Sequence, residues 1–196
     1  MRRYLTFLGA GTFFSTVEEI LTIVVLKHDV PSYLMTLIIL FPGFLTFVIF
    51  SGRIIDRVLL DTPRRDAAHF VVYATVGLLI EWFVIGLSPW SNPAANPVVM
   101  TLFQLGMFCF WGTVAVAPRL FIRSDVHSLT TRRSILRFYV PYFLVVYLVA
   151  FTVSEQNRFA ATIILIIVGY DVVVIRLLWS FRASALTPPP ETHTHS

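Results

Sequence analysis

The chain has 196 residues, of which 57% are hydrophobic and 13% are charged, and its formal net charge at pH 7 is +4. An ordinary soluble domain carries roughly 25% charged residues, and a disordered chain is poor in apolar residues, so both classes are excluded. A positive charge can indicate a nucleic-acid partner. Here the basic residues separate apolar blocks instead of covering one soluble face, so no nucleic acid is expected.

The apolar residues fall in blocks long enough to cross a bilayer. A helix rises 1.5 Å per residue and the hydrocarbon core measures roughly 30 Å, so about 20 residues are needed. Six such blocks are predicted, at residues 4–26, 32–50, 68–87, 98–118, 136–153 and 159–179. Barrel strands would alternate in hydrophobicity, and these blocks do not. The predicted fold class is an all-α integral membrane protein, a six-transmembrane-helix bundle within residues 1–182.

The basic residues predict how the bundle is oriented. Thirteen of the fifteen Lys and Arg residues lie on one side of the predicted bundle, and only Lys27 and Arg158 lie on the other. The positive-inside rule then places both termini in the cytoplasm, for a multi-pass protein of the cell inner (plasma) membrane. The expected partners are the lipid bilayer and, on the cytoplasmic face, anionic lipids. Arg2 and Arg3 before an apolar run resemble a signal peptide, but no small-residue cleavage site follows, so we expect the first span to be retained.

The first span contains two adjacent acidic residues, Glu18 and Glu19. An ionisable group at the bilayer centre costs roughly 2.5–3.5 kcal/mol on insertion scales, so each needs a physical reason. Adjacent residues on a helix point about 100° apart, so at least one of the two should face other helices. Gly11 and Ser15 lie on the same face as Glu19, and small residues let helices approach closely.

The second span contains Pro42 and Gly43 near its middle. Proline frees a backbone carbonyl and kinks a helix, and broken helices at this depth often line binding sites. The alternative is a packing kink without further function. Beyond this span the segment 53–60, and later the segment 128–137, mix arginines with apolar residues. Each is predicted either to lie on the membrane surface as an amphipathic helix or to extend a span past the bilayer edge.

The third span carries Glu81, with Gly77 on the same face. We expect the first and third spans to pack on each other through their small residues, which would bring Glu19 and Glu81 together. Two carboxyl groups at such a distance could share one proton or hold a cation.

The fourth and sixth spans add Gln104 and Asp171. Glu18 lies about 12 Å, and Glu81 and Gln104 about 9 Å, from the outer ends of their helices, so the three could share one layer. Asp171 lies about 18 Å from the outer end of its helix, toward the inner half. The tail, residues 183–196, contains three consecutive prolines and is predicted to be a disordered cytoplasmic segment.

No cofactor is predicted. The single cysteine, Cys109, supports neither a disulfide nor a cysteine-based metal site. His69 and His127 both fall on the inner side, which disfavours a haem held between spans. The sequence contains no recognisable soluble catalytic motif, and an enzyme is the less favoured class.

The favoured function is a small permease or carrier subunit that binds a proton, a metal ion or an organic cation in a carboxylate-lined pocket. The candidate binding residues are the polar ones within the spans: Glu18, Glu19, Glu81, Gln104 and Asp171. Pro42 and Gly43 would permit local movement. Two alternatives stay open. One is a non-catalytic accessory or assembly subunit of a larger membrane complex. The other is an intramembrane enzyme for a lipid or isoprenoid, which needs a pocket open sideways to lipid near Glu18 or Glu81.

Overall fold

A computed structural model describes residues 1–59, 62–90 and 96–186, and within these ranges the chain is helical, without a strand. Six helices are long and apolar enough to cross a membrane, as a multi-pass membrane protein requires. They are α1 (Arg2–Glu19 and Ile20–Leu26), α2 (Val30–Met35, Thr36–Leu40 and Phe41–Val58), α3 (Thr62–Ile80 and Glu81–Ile85), α4 (Pro97–Ile122), α5 (Val126–Thr152) and α6 (Glu155–Leu186). The prediction of six apolar spans is confirmed.

The helices begin and end where the local sequence satisfies their backbone groups. Asp29, Asn96 and Asp125 each precede a helix and accept a hydrogen bond from a backbone N–H of its first turn, at 3.0, 2.9 and 2.8 Å. Partial burial opposes the ionisation of Asp125, but the hydrogen bonds from Ser128 outweigh it and hold the pKa of Asp125 below its ordinary value. α3 ends at Gly86, whose φ of 84° is a left-handed conformation that glycine adopts readily.

α4 is the central helix of the bundle. Half of its most apolar stretch is buried, a larger share than in any of the other five helices. Its main neighbours are α1, α3 and α6. A Cβ added at Gly106 would collide with Ile167 of α6, and one added at Gly112 would collide with Phe70 of α3. These two glycines therefore allow both neighbours to approach the α4 backbone closely.

The small residues of the first and third spans pack differently from the prediction. α1 and α3 each pack mainly on α4 and not on one another. Gly11 of α1 receives Leu45 of α2, and Gly77 of α3 receives the indole ring of Trp111 of α4. Both glycines allow a neighbouring helix to approach closely, as the sequence predicted. The side chain that fills the space at each glycine belongs to a different helix, and the residues on the glycine's own face of the helix do not specify that partner.

Two helices extend past the predicted spans at one end of the bundle. α2 continues to Val58, and α5 begins at Val126, so the described part of 53–60 and all of 128–137 prolong transmembrane helices instead of forming separate surface helices. We call this end, which carries Arg57, Arg119 and Arg123, the arginine-rich end, and the other the opposite end. Residues 187–196 of the predicted tail lie outside the described residues.

α2 changes its helical form just before Pro42. Thr36–Leu40 is π-helical, and the α-helix resumes at Phe41. The proline ring has no N–H to donate and crowds the carbonyl of the preceding turn, which a wider turn relieves. Pro42 is half-buried, and Gly43 is exposed with open space around it. The helix is locally widened but continuous.

Candidate functional site

Three helices become π-helical, and all three do so where they line the same cavity. The segments are Ile20–Leu26 of α1, Thr36–Leu40 of α2 and Glu81–Ile85 of α3. A π-helical turn is wider than an α-helical one and frequently occurs at functional sites. Each segment contributes side chains to a cavity of about 680 Å³ toward the opposite end. This volume is within the usual range for small-molecule sites, roughly 300–1,000 Å³. We call it the carboxylate cavity.

The polar lining of the carboxylate cavity is mainly acidic. Glu18, Glu19 and Glu81 line it together. The layer predicted from depth combined Glu18 and Glu81 with Gln104, which does not line the cavity. Lys27 and Asp29 lie at its mouth, where α1 ends and α2 begins. The other walls are mostly apolar, with side chains from α2, α3, α4 and α6. Full ionisation would therefore leave a negative charge surrounded by low-dielectric walls, which attracts a cation strongly.

A tryptophan holds Glu81 in place. Trp111 Nε1 of α4 donates a hydrogen bond to Glu81 Oε1 at 3.0 Å. Trp111 is fully buried, and Glu81 is only 6% exposed. An indole N–H can only donate, so Glu81 Oε1 is the acceptor of this bond. Trp111 thus positions Glu81 in the cavity wall.

The backbone below Glu18 is fixed by tyrosines. The Phe14 carbonyl, one turn before Glu18, accepts hydrogen bonds from Tyr139 Oη at 2.8 Å and Tyr170 Oη at 2.7 Å. Tyr147 Oη donates to the Val17 carbonyl at 3.0 Å. Glu18 itself is 4% exposed. These bonds join α1 to α5 and α6 and set the position from which Glu18 reaches the cavity.

The mouth of the carboxylate cavity is polar. Lys27 is exposed there and, among the described residues, carries the one positive charge in the lining. Asp29 caps α2, and hydrogen bonds from the side chain and backbone of Ser32 lower the pKa of Asp29 below its ordinary value. The mouth is therefore charged at neutral pH, whereas the glutamates lie deeper.

Gln104 and Asp171 lie outside the cavity lining. Gln104 Oε1 accepts a hydrogen bond from Trp82 Nε1 at 2.6 Å, and its Nε2 donates to the Leu87 carbonyl at 3.0 Å. Both ends of the amide are thus occupied at the end of α3. Asp171 is half-buried on α6 and faces Cys109 of α4. Pro42 and Gly43 do not contribute to the lining either.

The described carboxylates do not assemble into a metal cluster. Among the residues that the structure describes, no three His, Cys, Asp or Glu side chains come together closely enough to hold a metal ion.

A second polar cluster joins α2, α3 and α4 at the arginine-rich end. This ionic network is centred on Asp56, Asp66, His69, Arg119 and Arg123, and Arg65 joins it with its Nε 3.5 Å from Asp56 Oδ1. Asp56 Oδ1 accepts hydrogen bonds from His69 Nε2 at 2.9 Å and from Arg119 Nη2 at 2.8 Å. Asp66 is bound by both terminal nitrogens of Arg123, with Nη2 and Oδ1 at 2.6 Å. The hydrogen bonds to Asp66 raise the pKa of Arg123 above its ordinary value.

His69 is the fully buried centre of the ionic network. Arg119 Nη1 lies 3.2 Å from His69 Nδ1. A guanidinium group only donates hydrogen bonds, so His69 Nδ1 accepts the one from Arg119. The ring hydrogen is therefore on His69 Nε2, which donates a hydrogen bond to Asp56. A Cβ at Gly52 would come within 2.8 Å of the His69 ring, so α2 and α3 approach closely at this point.

Sequence reasoning did not find the ionic network or the role of Trp111. The arginines were interpreted as signals for orientation, because they fall between apolar blocks. The available signal was the spacing of Asp66 and His69, which places them one turn apart on a helix beside an apolar run. Neither a protein-family profile, a curated protein nor a solved structure matches the chain.

Proposed function

We propose that the protein is a small permease or carrier that binds an organic cation in the carboxylate cavity. The observation that carries the proposal is that Glu18 and Glu81, both more than nine-tenths buried, line with Glu19 one cavity whose other walls are mostly apolar. Buried carboxylates are costly unless a partner compensates them. An organic cation supplies positive charge for the glutamates and apolar surface for the remaining walls.

The charge distribution supports an orientation for this carrier. The arginine-rich end is proposed to face the cytoplasm, with both termini there, in the cell inner (plasma) membrane. The carboxylate cavity then faces outward, and the ionic network closes the cytoplasmic side. Anionic lipids would contact the exposed arginines at that side.

The residues have different roles in this proposal. Glu81, oriented by Trp111, and Glu18 bind the cation, and Glu19 adds negative charge. A proton competes for the same carboxylates. Gln104 acts indirectly, because it holds Trp82 and the end of α3.

The test is the binding of ethidium, a fluorescent organic cation, to the protein in lipid nanodiscs. We expect saturable binding that the Glu81→Gln variant weakens at least tenfold, since Gln keeps the shape of Glu but carries no charge. The control is Glu155→Gln, an exposed glutamate at the same end but outside the cavity lining. Equal binding by wild type and Glu81→Gln would contradict the proposal. Ethidium uptake into proteoliposomes then distinguishes a carrier from a protein that only binds.

A further inference from the structure

The carboxylate cavity is open on its side as well as at its mouth. The principal contacts between α2 and α3 join Phe41–Val58 to Thr62–Ile80, toward the arginine-rich end. Among the described residues, no comparable set of contacts joins the two helices beyond these segments. Met35 and Ile39 of α2 line the cavity and are nevertheless 65% and 62% exposed. Val84 of α3 also lines it and is 73% exposed. The gap between α2 and α3 therefore connects the cavity with the outer surface of the bundle.

The depth of this gap places it among acyl chains. Met35 and Ile39 lie about 8 and 14 Å along the helix from Val30, where α2 begins, at 1.5 Å per residue. One half of the hydrocarbon core is roughly 15 Å thick. The gap therefore faces the acyl region of one leaflet, whereas Lys27 and Asp29 at the mouth lie at headgroup depth. A molecule that uses the gap must be dissolved in the leaflet.

We infer that the ligand is a cationic amphiphile, an ammonium group on an alkyl or acyl chain, which reaches the cavity from the leaflet through the gap between α2 and α3. This inference rests on the proposed function and specifies its substrate class. The ammonium head is complementary in charge to Glu18 and Glu81. The chain leaves the cavity between Ile39 and Val84, whose apolar side chains match it. Such a ligand occupies the acidic interior and the apolar gap at the same time.

The experiment compares two cations with the same head and different tails. Tetramethylammonium and dodecyltrimethylammonium compete with ethidium for the protein in phosphatidylcholine nanodiscs. Each methylene moved out of water raises apparent affinity about fourfold, so we expect the dodecyl compound to compete at concentrations at least 100-fold lower. The double variant Ile39→Trp with Val84→Trp narrows the gap. It should weaken dodecyltrimethylammonium at least tenfold more than it weakens tetramethylammonium, with each competition constant corrected for the ethidium affinity of the variant itself.

The control is Leu148→Trp on α5, an exposed position outside the cavity lining. Thermal unfolding of each variant verifies that the bundle is intact. If ethidium binding depends on Glu81 but the double variant leaves the dodecyl compound unaffected, the gap is not the path, and the proposed function stands. If no cation binds in a Glu81-dependent manner, the inference and the proposed function both fail.

A further arm identifies the source of the ammonium group. Nanodiscs that contain phosphatidylethanolamine present it on a bilayer lipid, whereas added dodecylamine presents it on a free single chain. Weaker ethidium binding in phosphatidylethanolamine nanodiscs, restored by the double variant, assigns the site to a lipid headgroup. Competition by dodecylamine alone assigns it to a free alkylamine. Competition by neither would overturn the inference for primary ammonium groups and restrict it to quaternary ones.

Discussion

The two ends of the bundle treat buried charge in opposite ways. At the arginine-rich end, Asp56 and Asp66 are met by arginines and His69 at hydrogen-bond distance, and the helices are held together. Toward the opposite end, three glutamates line a cavity with a lysine at its mouth, and the principal contacts between α2 and α3 lie elsewhere. Charged side chains that pair with one another within the chain hold helices together. Charged side chains that are to bind an external partner need a cavity in which that partner fits. The proposed function assigns a structural role to the arginine-rich end and ligand binding to the opposite end.

The largest expected effect is a loss of stability at the arginine-rich end. Arg119→Gln removes the charge that meets Asp56 and lies next to Asp66. Asp56 is 36% exposed and keeps other partners, among them His69, so we expect a loss of about 1.5–3 kcal/mol, the contribution of hydrogen bonds to charged groups. Thermal unfolding in lipid nanodiscs should show this loss, with Arg137→Gln, an exposed arginine, as the unaffected control. A melting temperature equal to that of wild type would mean that the network does not hold this end.

The next largest expected effect is on ethidium binding in the carboxylate cavity. Trp111→Phe keeps an aromatic ring but removes the N–H that Glu81 accepts. Hydrogen bonds to charged groups contribute about 1.5–3 kcal/mol, so ethidium should bind about 10- to 100-fold more weakly if the bond fixes the productive position of Glu81. The matched control is Trp179→Phe, an exposed tryptophan on α6. Unchanged affinity in Trp111→Phe would show that Glu81 needs no such positioning.

A smaller effect distinguishes two roles for Gln104, support of the cavity wall and direct contact with the ligand. Gln104→Leu leaves the Trp82 N–H and the Leu87 carbonyl without their present partner. A polar group left unsatisfied costs about 1 kcal/mol when it is only half-buried. We expect a slightly lower melting temperature and an ethidium affinity within twofold of wild type. A tenfold loss of affinity with unchanged stability would instead make Gln104 a direct ligand.

The smallest expected effect is that of Gly43→Ala, for which Gly77→Ala serves as the contrast. Gly43→Ala adds a methyl group in open space and should leave stability unchanged or raise it by about 1 kcal/mol, since alanine favours helix. Gly77→Ala adds the same group against Trp111, and it should weaken both stability and ethidium binding. Comparable results from the two variants would contradict the close contact between Gly77 and Trp111.

The sequence was sufficient for the coarse architecture. Bilayer thickness and apolar block length predict six helices, and distance from the helix ends predicts that Glu18 and Glu81 lie at similar depth. The π-helical segments were not predictable, because they depend on packing around the cavity, and only Pro42 gives a local cause for one of them. The hydrogen-bond partners of Gln104 could not be predicted from the sequence for a related reason. A polar side chain in a span signals that it has a partner, but the sequence does not show whether that partner is a ligand or another helix.

The bonds to Phe14 divide the molecule mechanically. Two tyrosine hydroxyls, from α5 and α6, share this one carbonyl of α1, and Tyr147 adds a third link one turn further on. Any displacement of α1 against α5 and α6 must break all three in an apolar medium, where water cannot replace them. We therefore expect these three helices to move as one body. Changes in the shape of the cavity would then fall to α2 and to the end of α3, two other walls of the cavity.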